Sequence, residues 1–333
     1  MFKKIIVMLL TIIFLGMFVA SVSAVTYTFG NSTDVDTISQ MVSGEAPIKN
    51  NKFIKDGDIV KFKSGNYNNL NLVIKKSIKI TKSNKKSIVI FSGNNTGTAI
   101  KLANKKKKVN INGIKIENYG FGIQGKTNSA KISKMTFYKN SNRGISIQGS
   151  KLTISSNKFV GNEESIYIHG KNNIISHNKI NKGGSYSSLI FVRGSNNLIR
   201  YNKIKAPESY AISVGGNKNK ISKNTVNKCL VGINVGGNRN LISYNKLFNM
   251  GSSYGGSGIS IEGKYITVKY NVVKYSTCGL VIWGVNNTAS YNKLHENKVG
   301  IEYFKGNKLL KNKFTNNKKN TKLEDKNKYR LDY

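Results

Sequence analysis

The side chains able to move protons, hold metal or attack a bond are sparse in this chain and far apart in its sequence. No aspartate occurs between Asp58 and Asp325, and the carboxylates of the repeat region are Glu117, Glu163, Glu164, Glu208, Glu262, Glu296 and Glu302. Hydrolysis of a glycosidic bond needs two carboxyl groups flanking it at a definite separation. Only Glu163 and Glu164 adjoin, and successive residues of a strand face opposite sides. Glu262 and Arg193 are left as weak acid/base candidates. His169, His177 and His295 are the only histidines, too scattered for a three-histidine centre, so neither a metal nor a cofactor is expected.

The chain is strongly basic. Its 54 Lys and Arg outnumber 15 Asp and Glu across 333 residues, a formal charge of +39. Such an excess suits polyanionic partners, although it also accompanies A/T-rich coding sequence. Lys3 and Lys4 precede an apolar run from Ile5 to Val19, followed by Val22-Ser23-Ala24. That order predicts a secretory signal peptide over 1–24; its removal takes two lysines and leaves 52 − 15 = +37. No membrane span is expected after cleavage. The predicted location is secreted or at the extracellular cell surface. Asn31, Asn94 and Asn286 head glycosylation sequons.

The elements that must position any site are repeats. Gly149, Gly170, Gly194, Gly216, Gly237, Gly263 and Gly284 are each followed eight residues later by Asn157, Asn178, Asn202, Asn224, Asn245, Asn271 and Asn292, with Asn312 continuing the series. Each period of about 22 residues holds three apolar pulses: G-I-x-I-x-G, as in Gly144 to Gly149, then one around Ile154, Ile175 or Ile199, then one around Phe159, Ile180 or Ile204. Three β pulses without a helical pattern describe one coil of a three-sided solenoid, stacked about 4.8 Å from the next. A leucine-rich repeat shares the period and the Asn but has one strand per unit and a Leu framework. The recurring Asn then predicts a structural ladder, its amides bonding from coil to coil. Cys229 and Cys278 fall two coils apart, beyond disulfide reach, which predicts two free, buried thiols.

G-I-x-I-x-G followed by N-x-L/I-I-x-x-N-x-I resembles the right-handed parallel β-helix repeat of pectate-lyase-like proteins, with closest likeness to NosD-type and archaeal adhesin-like chains. The entry order, from Asp56-Gly57-Asp58-Ile59-Val60 to Ser77-Ile78-Lys79-Ile80, resembles theirs. The resemblance implies an all-β, right-handed single-stranded parallel β-helix of roughly eleven or twelve coils over 58–315. Ahead of it, 25–57 forms an N-terminal cap with a short amphipathic helix near 33–43, N-capped by Ser32 or Thr33. Residues 316–333 read as a polar C-terminal cap or loose tail. The superfamily includes lyases, hydrolases, epimerases and adhesins, so fold alone does not select among them.

Two outward surfaces stand out. On the G-I-x-I-x-G sheet, insertions at Gly183 to Ser187 and Met250 to Ser257 are expected to wall a shallow ligand cleft of Tyr186, Arg193, Ser213, Asn234, Tyr254, Glu262 and Trp283. Gly215 and Gly236 leave its floor without side chains. Beside the Asn ladder, Lys179, Tyr201, Lys203, Tyr244, Lys246, Tyr270, Tyr291 and Lys293 are expected to form a polyanion stripe. The function expected is a monomeric, adhesin-like β-helix binding acidic polysaccharide or cell-envelope polymer non-catalytically, with nucleic acid disfavoured by secretion. The alternative is a polysaccharide-active lyase, hydrolase or epimerase using the cleft.

Overall fold

The computed structural model describes residues 24–48, 50–103, 108–251 and 255–325; the predicted signal peptide, apart from Ala24, lies outside them. The chain winds as a right-handed parallel β-helix of about twelve turns whose strands fall into three parallel sheets of 13, 12 and 12 among the described residues. The glycine sheet runs from Leu72–Ile74 to Lys319–Glu324 and contains every G-I-x-I-x-G segment, such as Arg143–Gln148. The second sheet runs from Thr26–Phe29 to Lys308–Leu310, and the third from Gly65–Asn68 to Lys313–Thr315.

The apolar pulses stack in register. Ile145, Ile166, Ile190, Ile212 and Ile233 are successive partners across the glycine sheet, all fully buried with the inward residues of the other two sheets. β-Branched side chains suit this because their restricted rotamers pack well on a pleated surface. Near the N-terminal end the core turns aromatic: Phe62, Tyr67 and Phe91 meet edge to face at 5.0–5.7 Å. Helix α1, Val35–Ser43, covers this end, burying Ile38 and Val42 and packing on Leu72–Ile74. Its N-cap is Asp34, whose carboxylate accepts the Thr37 amide at 2.8 Å, and not Ser32 or Thr33. A carboxylate is as good a capping acceptor as a hydroxyl and favours the helix's positive end as well.

At each bend the chain enters the left-handed region. Ser156, His177, Tyr201, Lys223, Tyr244, Tyr270 and Tyr291 all have φ of 55–58°, a conformation costing a non-glycine residue about 1–2 kcal/mol. Asparagines offset that cost. Asn157 Nδ2 donates to Asn178 Oδ1 at 3.0 Å, and the chain of amides continues through Asn202, Asn224, Asn245, Asn271 and Asn292 to Asn312. Each rung also accepts a backbone amide from the preceding coil, as Asn178 does from Asn157. The bend residue's own strain remains removable: replacing exposed Lys218 (φ 57°), which precedes the buried Asn219, by glycine is expected to stabilise the fold by about 1 kcal/mol, the left-handed cost less glycine's chain entropy. A shift in urea midpoint at constant slope would show it.

Of the polar cap or loose tail expected over 316–333, the described part holds an ordered strand. Lys319–Glu324 is a strand paired parallel with Val299–Phe304, so the β-helix runs past residue 315. Its sequence, KNTKLE, lacks an apolar pulse because a terminal strand needs backbone partners on one side only and covers little core.

Cys229 and Cys278 are free and buried. Burial pushes the Cys229 thiol up to about 11; burial, with the charge of Glu302, pushes Cys278 to about 12. Thiols of the unfolded chain ionise near 9, so their contribution to stability is whole below that pH and is lost as pH rises toward the folded values. Denaturation midpoints are expected to fall progressively from pH 9 upward, and a thiol reagent to label neither residue before unfolding.

Candidate functional site

Six-residue strands give the glycine sheet room for two adjacent outward columns. In one, Gln148, His169, Arg193, Gly215, Gly236, Glu262 and Trp283 are successive partners; in the other, Ser146, Tyr167, Phe191, Ser213, Asn234, Ser260 and Val281. Between Phe191 and Gly237 the surface sinks into an open depression of about 660 Å³ lined by His169, Phe191, Arg193, Ser213, Gly215, Asn234 and Gly236. A second, of about 490 Å³, shares His169 and continues upstream along Tyr167, Ser146, Gln148, Gln124, Lys126 and Lys101. Together they make one groove across seven strands, roughly 29 Å at strand spacing.

The floor of the groove is bare for a reason other than crowding. A Cβ built on Gly215 meets no atom within 4 Å, and one on Gly236 only the Glu262 carbonyl oxygen at 4.0 Å. Neither residue has a positive φ. Gly216, one residue on, is the opposite case: φ is 122° and a Cβ would collide with the Gly194 carbonyl oxygen. The corner glycine is needed by the backbone, whereas the two floor glycines are needed by nothing in the chain itself.

The wall upstream of the bare floor is a ring stack. Tyr167 and Phe191 lie parallel at 4.9 Å and 11°, and the Arg143 guanidinium sits 4.0 Å over the Tyr167 ring while pairing with Glu164. Tyr167 therefore has both faces occupied. Phe191 is followed in its column by Ser213, which leaves the far side of its ring open toward the depression. Cations line the groove, with Lys101, Lys126 and Arg193 exposed and the His169 imidazole exposed beside them, and no carboxylate lines either depression.

Of the residues expected in a cleft, Arg193, Ser213 and Asn234 come together. Glu262 and Trp283 lie one and two strands beyond Gly236, outside the depression, with Trp283 stacked on Phe304 at 6.4 Å. Tyr186 is exposed but precedes Ser188–Arg193, about 20 Å of extended chain from Arg193. The insertion thus enters the sheet at the strand starts, away from the depression. Tyr254 lies outside the described residues. Arg193 and Glu262 stand three strands apart, roughly 14 Å, wider than the separation at which two groups act on one glycosidic bond. Among the described residues no cluster of His, Cys, Asp or Glu could hold a metal ion.

The stripe residues align along one edge. Tyr244, Tyr270 and Tyr291 stack at 5.0 and 5.2 Å; His177 stacks on Tyr201 at 4.9 Å, whose hydroxyl meets Lys223 Nζ at 3.1 Å. Lys179 and Lys203 are cross-strand partners, and Lys246 and Lys293 flank Val272. The sequence reading overlooked two further Asn ladders. One runs through Asn173, Asn197, Asn219 and Asn240, linked by amide contacts of 2.8–3.0 Å; the other includes Asn140 with Asn162 and Asn297 with Asn317. Their signal was present: each Asn of the first follows a corner glycine by three residues, as Asn197 follows Gly194. The site residues Phe191, His169, Lys101 and Lys126 were likewise missed, the last two because their coils lack the repeat marker.

Coil stacking, three parallel sheets and inward Asn ladders define a parallel β-helix protein. The right handed beta helix region family matches residues 121–284 and 184–319, and the chain belongs to that family. In structure it is similar to a GH136 lacto-N-biosidase from Eubacterium ramulus (TM-score 0.63, 11% identity, 87% of this chain and 68% of that one). It is also similar to a mannuronic acid specific polysaccharide family 6 lyase from human gut microbiota (0.50, 16%, 87% and 82%) and to a PL6 alginate lyase in complex with a trisaccharide (0.51, 14%, 89% and 85%). No curated protein matches the chain in sequence. Identities this low show the fold alone.

Proposed function

We propose that this protein is a secreted or cell-surface β-helix that binds anionic polysaccharide non-catalytically along the groove of the glycine sheet. The observation that carries the reading is the groove's lining. Lys101, Lys126 and Arg193 supply cations without a carboxylate among them, and Gly215 and Gly236 leave open a floor that neither backbone nor packing requires to be bare. Linear acidic sugars match such a surface: lysine and arginine take their charges, polar Gln124, Gln148, Ser213 and Asn234 take hydroxyls, and Phe191 offers an apolar face. The similar structures named for lacto-N-biosidase and alginate lyase activities support a glycan as ligand class. Secretion is supported by the basic, apolar and small-residue order of residues 1–24. No helix among the described residues is long and apolar enough to cross a membrane.

The test follows protein and polymer by gel filtration over time, at two salt concentrations, with a polyuronate such as alginate. Comigration with polymer of unchanged length, weakened at high salt because exposed ionic contacts are screened and weakened by R193Q with K126Q, is expected. Progressive shortening of the polymer would overturn the non-catalytic reading. Binding indifferent to both salt and the double substitution would overturn the groove.

A further inference from the structure

The third sheet faces a different direction from the groove, and its outward side carries charge of one sign. Lys158, Lys179 and Lys203 are consecutive cross-strand partners. Farther along, Lys246, Lys293 and Lys313 share that column around Val272, with Lys274 beside them. Like charges directly opposite one another destabilise a sheet, and the ordinary relief is an interleaved acid. Nearer the N-terminus the same sheet uses it, pairing Lys115 with Glu117 at 2.5 Å; the glycine sheet pairs Arg143 with Glu164. From Lys158 onward the outward positions of the third sheet hold no acid.

The lower lysines border a depression of about 430 Å³, whose lining includes Lys246, Lys274, Lys293 and Lys313 around Phe248 and Val272, again without a carboxylate. The nearest acid, Glu296, is engaged by His295 at 3.1 Å. Along the adjoining edge the stacked Tyr244, Tyr270 and Tyr291 are 39–51% exposed. Tyr270 has a ring on each face and Tyr291 has Lys311 over its ring, so what the row presents outward is chiefly hydroxyl edges, donors for carboxylate or sugar oxygen. Four ammonium groups over three strand intervals, roughly 14 Å, match a run of charges along a polymer better than a single small anion.

We propose that this lysine face is a second anionic-polysaccharide site, and that one molecule, holding one chain in the groove and another here, bridges two polymer chains. The bridging rests on the groove reading above; the second face does not. Two sites on a single rigid body cannot fold back onto each other, so each protein links chains, and long polymer with many such links forms a network.

Light scattering during titration of the protein into long alginate tests this. Wild type is expected to scatter strongly near equivalence and to clear with excess protein. K246Q/K274Q/K293Q/K313Q is expected to bind polymer within about threefold of wild type yet lose at least tenfold in scattering, whereas K79Q/K131Q/K220Q/K308Q on the second sheet, with equal loss of charge, keeps it. Wild-type scattering from the first variant, or equal loss from the second, would overturn the proposal in favour of bulk charge. Should R193Q/K126Q bind alginate like wild type while the lysine-face variant no longer binds, the groove reading fails and the second face stands alone, without bridging. Tighter capture of single-stranded nucleic acid than of alginate by the lysine face would also overturn it. A variant-free check uses protein saturated onto immobilised alginate: capture of a second, fluorescent alginate chain is expected, and its absence contradicts bridging.

Discussion

Asn224→Leu is expected to destabilise the β-helix by about 4 kcal/mol. Asn224 is fully buried and its amide makes four hydrogen bonds near 3.0 Å. Nδ2 donates to the Ile199 carbonyl and to Asn245 Oδ1, and Oδ1 accepts from the backbone and side-chain amides of Asn202. Leucine fills similar volume and satisfies none of them, and each buried group left unpaired costs about 1–3 kcal/mol. Partial relaxation trims the sum. Asn224→Asp is expected to be no milder, because a buried carboxylate would lose both donors and face two oxygens. At Asn312, the half-exposed last rung, water can replace part of what is lost, and less than half the effect is expected. Urea denaturation followed by two probes checks the magnitude and also whether a break in mid-helix uncouples the flanking coils, as nearest-neighbour stacking allows. A loss under 1 kcal/mol at Asn224 would mean that the ladder is not what holds the left-handed bends.

What the sequence made legible is what the core constrains. An inward Ile or Asn has neighbours above and below, so its type repeats with the coil, and Gly194 to Asn202 or Gly216 to Asn224 is visible by counting. The second ladder escaped because Asn197 and Asn219 sit beside outward residues in a chain already rich in Asn, where one more recurrence at a three-residue offset raises no contrast. Outward positions carry no such constraint. The depression at Ser213 and Asn234 lies on columns that could be written down from the repeat, yet its walls could not be assigned. Insertion length does not say at which end of a strand a loop emerges, so Tyr186 was placed at a site it does not reach. Charge composition likewise said only that the chain is basic; the cross-strand partners of Lys293 and Lys179 are what separate a face without acids from one that has them.

Two neighbouring glycines offer the sharpest division between folding and binding. Gly216→Ala forces a Cβ against the Gly194 carbonyl oxygen in a backbone conformation that L-residues rarely adopt, so it is expected to unfold or weaken the stack by several kcal/mol. Gly215 and Gly236 sit in open space at ordinary φ, and Gly236→Trp is expected to leave the urea midpoint within about 0.5 kcal/mol of wild type, as for an unconstrained surface position. Its indole would fill the depression over Asn234 and face the open side of Phe191. Alginate affinity is then expected to drop at least tenfold, about 1.4 kcal/mol, with Gly215→Trp behaving alike. Small residues at these two places would be neutral to selection on stability, since many side chains fit there. Their absence of side chain is therefore explained by what occupies the floor from outside, and a Gly236→Trp protein that binds alginate as wild type does would remove that explanation.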